Sequence, residues 1–516
     1  MKIKAITYGI LITLITGIYT SCTNLEETVY SKIPSDKFYK TEQDVVMSAG
    51  RAYAWMRWQT HLWGAFTVIT NSADEACTPY REGGQWYNNK EWVNLHLHDF
   101  LTNDPQILNT YNFCYEGISM CNQVLYQIEL STVEFEAKNK IISEIKILRA
   151  YLYFCATNWF GDVPVQTDFT DLTLPSQRTR KEVCDFILKE IDENIGILDE
   201  SPSINNYGRC TKAMAYVLRA KVYLNYEKWI GDAKWEEVIA ACENVISMGY
   251  YSLESNYFAN FNIRNEASRE NIFVIPFDPK DGGSSSFQWT MYCYSLHPNS
   301  AQTFGFPAIC WNGICALEEF YKSYDKQDLR INSWLEGPQT SLDGNPIRDM
   351  HGNQLNYTPY ITGVWMENPA KDAEGVRCNK WEYGSAIDVN YNMDNDYPIY
   401  RYADVLMMKA EALIRKNGNK VNSEVVDLVN QVRERAFGST AFNYTIETLT
   451  IDEFLAELGR EFAWEMHRRD DLIRFDKWTE AWWEKQAKGS YTEIYPIPSR
   501  VIDTNPNIKP TPGYAY

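Results

Sequence analysis

One feature of the sequence constrains the fold more than any other: an apolar stripe with helical spacing. From Ile141 to Cys155, apolar residues recur at steps of four, three, four and three residues. This spacing lines them along one face of an α-helix, which completes a turn every 3.6 residues. The stripe stops at Gly161, two residues before a Val-Pro pair, and this is typical of a helix end. We therefore predict a long amphipathic helix that packs against other helices.

Further helices are predicted on both sides of the middle of the chain. Thr179 with Glu182 three residues later is a capping box, so a helix begins there. Another begins near Thr211, and a third follows Asp232 and stops at Gly249. Short loops between amphipathic helices make neighbours antiparallel. The arrangement resembles tetratricopeptide-type helix pairs, although no regular 34-residue period is visible.

Helical stripes return near the C-terminus. Apolar residues recur at helical spacing over 402–413 and 425–436. Thr450 with Glu453 forms a second capping box at the start of a further helix. The chain then ends in a Pro-rich irregular stretch from residue 495 onward.

The middle of the chain has a different composition. Residues 251–395 are rich in Asn, Pro, Gly and Tyr, and a strand is predicted over 271–276. The sequence thus predicts a mostly α fold, with about four helix pairs supporting long irregular loops and short β-strands. Because no segment reads as a linker, we expect one domain over 22–516, with helical parts at 22–250 and 396–516 and a looped, ligand-binding insertion at 251–395.

The first residues predict export from the cytoplasm. Lys2 and Lys4 precede an uncharged stretch rich in Ile, Leu and Thr, the pattern of a signal peptide over 1–21. Small residues directly before Cys22 resemble a bacterial lipobox, in which Cys22 carries the lipid anchor. Tyr19 departs from the usual Leu, and the alternative is an ordinary signal peptide with an incidental cysteine. Acidic residues after Cys22 resemble the export signal of surface lipoproteins.

Charge, aromatic content and cysteines narrow the function further. The formal charge of −19 argues against a nucleic-acid binder, which needs a basic face. Aromatic residues make up 14% of the chain, enough for a core and for a surface that stacks on sugars or other flat ligands. Eleven cysteines remain besides Cys22, without a CxxC motif. Cys310 and Cys315 are close enough in sequence to pair, but the sequence leaves that open.

Six segments in order carry a resemblance to a known family. They are FYKTE at 38–42, EIKILRAYLYF at 144–154 continuing to WFGDVP at 159–164, RYADVL at 401–406 with AEA at 410–412, NQVRERA at 430–436, EFAWE at 461–465 followed by Arg468 and the Asp471-Leu472 pair, and the Pro- and Asn-rich ending from 495 to 514. On these segments the chain resembles the SusD/RagB family of surface glycan-binding lipoproteins. Their arginines are interpreted as structural, in ion pairs that fix helix packing.

The resemblance implies a fold, a location and a role. It implies four tetratricopeptide-like units beneath a looped face, and a lipid-anchored position on the outer face of the outer membrane. It implies a partner, a SusC-type TonB-dependent transporter, to which a captured oligosaccharide or polysaccharide is delivered. Neither catalysis nor a cofactor is expected.

Two loop segments, 71–92 and 287–334, offer the residues that bind sugars, namely Trp or Tyr platforms flanked by polar groups. The family's glycan site lies in equivalent loop regions. The predicted glycan-binding residues are Asp74, Arg81, Trp86, Tyr87 and Trp92 in the first segment and Trp289, Tyr292, Trp311, Asn312 and Trp334 in the second. The alternative for each ring is a packed core position, and for Asp74 and Arg81 a loop salt bridge. We expect Trp86→Ala to weaken glycan binding without lowering the melting temperature.

Two other functions remain open at this level. A surface glycosidase needs two carboxylates in one cleft, and Asp74 with Glu75 or Asp394 with Asp396 satisfies that by count. Against it, the chain has no GxSxG, HExxH or P-loop motif. A peptide- or glycopeptide-binding scaffold is the second alternative, since helical repeats commonly bind peptides.

Two weak metal patterns are also present. His96 and His98 alternate, which would place both imidazoles on one face of a strand. Residues 394–396 (Asp-Asn-Asp) loosely resemble part of a calcium loop without the rest of an EF-hand. We expect no metal site from either.

Overall fold

The computed structural model describes residues 39–278, 290–387 and 392–516. The predicted signal peptide, the lipidation site Cys22 and the predicted ligand contact Trp289 lie outside the described residues. The described helices are α1 Glu42–Trp55, α2 Ala65–Asn71, α3 Glu91–Leu97, α4 Pro105–Leu130, α5 Lys138–Phe160, α6 Arg180–Asn194, α7 Lys212–Ile230, α8 Trp235–Met248, α9 Met291–Ser295, α10 Ala301–Phe304, α11 Glu318–Lys322, α12 Tyr402–Lys416, α13 Ser423–Phe437, α14 Ile451–Glu461, α15 Arg468–Arg474 and α16 Ser499–Thr504.

Helix ends follow the predicted capping residues. The Thr179 side chain accepts a hydrogen bond from the Glu182 N–H, and the Glu182 carboxylate accepts one from the Thr179 N–H, so the predicted capping box opens α6. Thr211 caps α7 in the same way through the Met214 N–H. Gly249 ends α8 with φ 70°, a left-handed conformation that favours glycine. These boundaries are confirmed.

The helices pack mostly against their neighbours in sequence. α4 packs on α5, α5 on α6, α6 on α7, and α7 on α8. α12 then packs on both α8 and α13, so the C-terminal helices continue the same stack. The predicted mostly helical fold with successive helix pairs is confirmed. The short loops at 131–137 and 231–234 favour antiparallel packing of α4 with α5 and of α7 with α8.

The strands are short, as predicted for the middle of the chain. They are β1 Ala76–Cys77, β2 Val163–Pro164, β3 Gln177–Arg178, β4 Asn271–Ile275, β5 Cys315–Ala316, β6 Trp334–Leu335, β7 Gly337–Pro338, β8 Asn356–Tyr357, β9 Arg377–Cys378 and β10 Tyr397–Arg401. Within the described residues they form five antiparallel two-stranded sheets. β4 pairs with β10, which leads directly into α12, so this sheet ties the loop region to the helices.

A buried network of charges joins the loop region to the C-terminal helices. We call it the charge cluster, and its members are Arg330, Arg401, Arg435, Glu270, Glu457, Glu461 and Glu465. Arg401 lies 3.0 Å from Glu461 and 2.7 Å from Glu465 and also pairs with Glu270. Burial opposes the ionisation of Glu461, but the guanidinium groups around it outweigh burial and lower its pKa to about 2.

The other motif arginines are also ion-paired, as predicted, although with distant partners. Arg149 pairs with Glu190 on α6 at 2.7 Å, and Arg433 pairs with Glu457 at 3.0 Å. Each pair joins two helices, so the motifs contribute to packing.

Two further questions concern a disulfide between Cys310 and Cys315 and helices long enough to span a membrane. Cys310 and Cys315 are both buried and free, so the disulfide left open by the sequence is not formed. Across 39–278, 290–387 and 392–516, none of the helices combines the length and the apolar character needed to cross a bilayer.

Candidate functional site

Five of the predicted glycan-binding residues are buried, and the prediction of direct ligand contact is corrected for them. Arg81 is fully buried and donates hydrogen bonds to the backbone carbonyls of Gly313 at 3.0 Å, Lys371 at 3.0 Å and Glu374 at 3.1 Å. Its guanidinium therefore ties three chain segments together. This use of Arg81 differs from the salt bridge considered as its alternative, because all these acceptors are backbone carbonyls.

Asn312 is also buried, so its prediction as a ligand contact is corrected as well. Its side-chain amide donates to the Asp372 carbonyl at 2.9 Å and accepts from the Arg377 guanidinium at 2.7 Å. Its φ of 56° lies in the left-handed region, which Asn tolerates better than most residues. Asn312 is thus a turn residue held inside the protein.

Three predicted aromatic contacts belong to the core. Trp92 has no exposed surface and packs against Trp63 at a ring distance of 5.6 Å. Tyr292 is fully buried, and Trp334 is 6% exposed against Trp464. No face of these rings is available to a ligand.

Asp74 forms a salt bridge, which is the alternative to ligand contact that the sequence left open. Its two carboxylate oxygens accept from Arg468 at 2.6 and 2.8 Å, a two-point pair between the loop and α15. The Asp74 side chain is 24% exposed to solvent, but both of its oxygens already accept hydrogen bonds from the guanidinium.

Trp86, Tyr87 and Trp311 lie at the surface, and two of them are joined directly. The Trp86 Nε1–H donates to the Trp311 carbonyl at 2.6 Å. Trp311 is 36% exposed, whereas Trp86 and Tyr87 are half-buried. The predicted segments around residues 71–92 and 287–334 therefore meet at this point.

The seat of the Trp86 ring depends on a glycine. A Cβ at Gly313 would lie 2.8 Å from the ring and 2.7 Å from the Tyr294 carbonyl oxygen, so a larger residue cannot fit without movement. Trp86 also packs on Tyr294 at 5.1 Å and on Trp92 at 5.6 Å. Because this ring is partly packed, we expect Trp86→Ala to lower the melting temperature as well as affinity, so Trp311 is the cleaner probe.

Two further rings extend this surface beyond the residues predicted from sequence. Tyr80 stands edge-to-face on Tyr87 at 5.8 Å, and the Lys90 ammonium lies 5.5 Å from the Trp365 ring. The Tyr80 N–H donates to the Val364 carbonyl at 3.2 Å, which places the two segments side by side. We call Tyr80, Trp86, Tyr87, Trp311 and Trp365 the aromatic face.

Polar groups border the aromatic face. Glu82 accepts from the His351 imidazole at 2.9 Å and from the Asp372 N–H at 2.8 Å. The bond to Glu82 raises the pKa of His351. Met350, 50% exposed, lies against the turn at Gly83, where an added Cβ would be 3.2 Å from its methyl group. The sequence prediction missed these residues, because only the fold brings the 349–352 turn to residue 82.

The enzyme and metal alternatives find little support in the described residues. Glu75 is buried beneath Trp464, where desolvation raises its pKa to about 8, but it has no exposed surface for a substrate. Asp396 accepts from the Phe277 N–H at 2.8 Å and from Tyr207 at 2.5 Å, both structural contacts. Among the residues that the structure describes, no group of three or more potential metal ligands is found.

The paired histidines do not lie on a strand. His96 lies in α3 and His98 caps its end. One ring nitrogen of His96 lies 2.9 Å from the Trp483 carbonyl, and one of His98 lies 2.7 Å from the Ser72 carbonyl. Burial lowers the pKa of His96 to about 4, so it is neutral and structural at neutral pH.

The stack of helix pairs supports a loop region on which aromatic rings are partly exposed and can stack on a ligand. Comparisons with known proteins identify the family. Residues 269–514 match the SusD family model, and residues 25–224 match the model described as "Starch-binding associating with outer membrane". The chain belongs to the SusD/RagB family.

Individual relatives share the fold at low sequence identity. The starch-binding protein SusD of Bacteroides thetaiotaomicron is 26% identical over 416 residues, 72% of each chain. A solved laminarin-binding SusD-like protein superposes with a TM-score of 0.74 at 22% identity, over 92% of this chain and all of that one. Surface glycan-binding protein A from B. thetaiotaomicron, solved with laminarihexaose, gives 0.74 at 20% identity, over 91% of this chain and 99% of that one.

Proposed function

We propose that this protein binds an oligosaccharide or polysaccharide on the aromatic face without altering it. The observation that carries the proposal is the bond from the Trp86 indole N–H to the Trp311 carbonyl, which brings the half-buried Trp86 ring to the loop that carries the exposed Trp311 ring. Indole faces match the apolar C–H faces of sugar rings. Glu82, His351 and Lys90 supply hydrogen-bonding groups for the hydroxyls at the border.

The relatives support a sugar ligand and suggest the first ones to test. One is named a starch-binding protein and another is described as laminarin-binding. The excess of acidic residues favours a neutral saccharide over a polyanionic one, because like charges repel.

The decisive experiment compares Trp311→Ala with the wild-type protein. Starch, laminarin and a panel of plant and host polysaccharides are screened on an array, and affinity for the hits is measured by calorimetry. We expect Trp311→Ala to weaken binding by about fivefold or more, since truncation of an important contact residue costs more than about 1 kcal/mol. Trp235→Ala on α8, half-buried and outside the aromatic face, is the matched control. Equal affinity of the two variants would refute the assignment of the aromatic face.

The same saccharides separate binding from catalysis. Incubation with the hits should yield saturable binding and no reducing ends over time. Steady release of reducing sugar would favour the glycosidase, and capture of peptides but no saccharide would favour the scaffold.

We further propose that Cys22 carries a lipid that holds the protein at the outer face of the outer membrane, and that a SusC-type TonB-dependent transporter receives the captured glycan. The outer-membrane description of the matching family model supports the location. Two acyl chains give stable anchoring. Cys22→Ala should release the protein from the membrane fraction, and co-purification with the transporter should persist in detergent for the wild-type chain. Retention of Cys22→Ala in washed membranes would contradict lipidation.

A further inference from the structure

A pocket lies on the loop region, and none of the residues of the aromatic face line it. Its volume is about 430 Å³, within the ~300–1,000 Å³ usual for ligand pockets. We call it the lateral pocket, and its principal lining residues are Phe258, Asn262, Phe304, Leu342, Asn379 and Tyr383.

The apolar wall of the lateral pocket is built in advance of any ligand. Phe304 stands edge-to-face on Tyr383 at 5.0 Å and stacks on Phe306 with an angle of 9° between the rings. Tyr383 is fixed in turn, because its hydroxyl donates to the Cys378 carbonyl at 2.9 Å. A wall held by such contacts loses little conformational entropy on binding.

A leucine at the rim is exposed and yet held in place. Leu342 is 72% exposed, while its N–H donates to the Gln302 carbonyl at 3.0 Å. It packs over Gly305, where an added Cβ would lie 2.4 Å from the leucine side chain. The rim of the aromatic cavity therefore offers an apolar group that a ligand bound there would cover.

The polar groups of the lateral pocket match sugar hydroxyls. The Asn379 amide nitrogen donates to the Asn332 carbonyl at 3.1 Å, and one Glu382 carboxylate oxygen accepts from the Ile263 N–H at 2.9 Å. The amide oxygen of Asn379 and the other carboxylate oxygen of Glu382 remain for further donors. The one cationic group in the lining, Lys380, is already paired with Glu465 at 2.5 Å. The pocket therefore offers acceptors and amides to a neutral ligand and repels an anionic one.

We propose that the lateral pocket is a second binding site for a neutral saccharide, which acts together with the aromatic face on one long glycan chain. The proposal rests on the proposed function and deepens it. Phe304 and Trp311 are seven residues apart, so their backbones are separated by about 25 Å at most. A polymer bound at one site therefore presents its other units to the second at high effective concentration.

The experiment measures how affinity depends on chain length. Laminarihexaose with laminarin, and maltohexaose with amylose, are titrated into the purified chain by calorimetry. The variant Asn262→Ala/Leu342→Ala changes the rim and leaves the packed rings intact. We expect it to weaken binding of the polymer by about fivefold or more, while the hexasaccharide affinity at the aromatic face changes by less than about twofold.

Two further variants keep the test sharp. Leu172→Ala removes a leucine that is 92% exposed and absent from the lateral pocket, and it should leave both affinities unchanged. Phe304→Ala should reproduce the loss for the polymer if its melting temperature shows a folded chain. If the ratio of polymer to hexasaccharide affinity is unchanged in the double variant, the proposal of a second site is wrong, while the proposal for the aromatic face is unaffected. No binding of any of the four saccharides to the wild-type protein would count against the proposed function itself.

Discussion

The charge cluster and the aromatic face invert the usual distribution of residues between core and surface. In the charge cluster, Arg330 and Arg401 have no exposed surface and hold carboxylates around them. In the aromatic face, the Trp311 side chain is 36% exposed, while its backbone N–H donates to the Cys293 carbonyl at 2.6 Å. Both cost free energy in isolation, since buried ions are desolvated and exposed indoles remain in water.

The difference between the two regions separates residues that stabilise the fold from residues that remain available to a ligand. The charge cluster connects residues far apart in sequence, such as Glu270 and Arg401, so its energy stabilises the junction between loops and helices. The aromatic face instead keeps its apolar surface in water. We infer that the first region sustains the fold and the second is reserved for a ligand. Changes in one should therefore leave the other's measured property intact.

The largest expected effect comes from breaking the charge cluster. Arg401→Met leaves Glu270, Glu461 and Glu465 without their shared partner, and a broken buried pair costs about 3–5 kcal/mol. Urea unfolding should show this loss, while the folded fraction keeps its affinity for saccharide. The control Arg219→Met breaks a pair with the exposed Asp192 and should cost less than about 1 kcal/mol. Similar losses in the two variants would contradict the assignment.

The next effect is a dependence of stability on pH near the same junction. Glu75 has its pKa raised from 4.5 to about 8, mainly by desolvation. Its contribution is therefore complete below about pH 4.5 and is lost as the pH rises through 8. Between pH 5 and 8 the wild-type protein should lose free energy of unfolding relative to Glu75→Gln, with a slope of up to about 1.4 kcal/mol per pH unit. Parallel pH profiles of the two chains would show that Glu75 does not carry this dependence.

A smaller effect should follow when the seat of Trp86 is filled. Gly313→Ala forces the ring or the Tyr294 backbone to move, and overpacking costs about 1–3 kcal/mol. Saccharide affinity should fall by about tenfold through the displaced ring. Gly196→Ala is the matched control, since no atom lies within 4 Å of its added Cβ. If Gly313→Ala binds as tightly as Gly196→Ala, the position of Trp86 does not matter for binding.

The smallest expected effect lies at the polar border. His351→Ala removes an exposed partner of Glu82, and exposed pairs contribute little, so affinity should fall by about two- to threefold with no change in melting temperature. Arg348→Ala on the same turn serves as the control, because its guanidinium makes one long bond of 3.4 Å to the Gly352 carbonyl. A loss of tenfold or more in His351→Ala would make the imidazole a principal ligand contact rather than a border group.

The helices could be predicted from sequence because their signals are local. Thr179 and Glu182 are three residues apart, and a stripe such as 141–155 records burial directly in its spacing. The partners of the motif arginines could not be predicted in this way, since Arg468 and Asp74 are 394 residues apart in the chain.

The candidate site could be predicted by region but not by residue. Trp92 and Trp311 both follow loop-like sequence, yet Trp92 faces inward from α3 while Trp311 remains exposed. Only tertiary contacts distinguish the two. Trp365 and His351 reach the same area from segments without a sequence signal that links them to residues 80–90.

The anchoring of the 80–90 loop by Arg81 has a consequence for how this protein can change. The Arg81 guanidinium fixes the base of the loop to the carbonyls of residues 313, 371 and 374. The tip of the loop at residues 83–85 is exposed. Gly83 and Gly84 at the tip adopt φ values of 83° and 89°, so single substitutions there are strained. Replacement of the whole tip by another short sequence avoids this strain and leaves the base held by Arg81 in place, so the loop offers protein engineers a site for grafting.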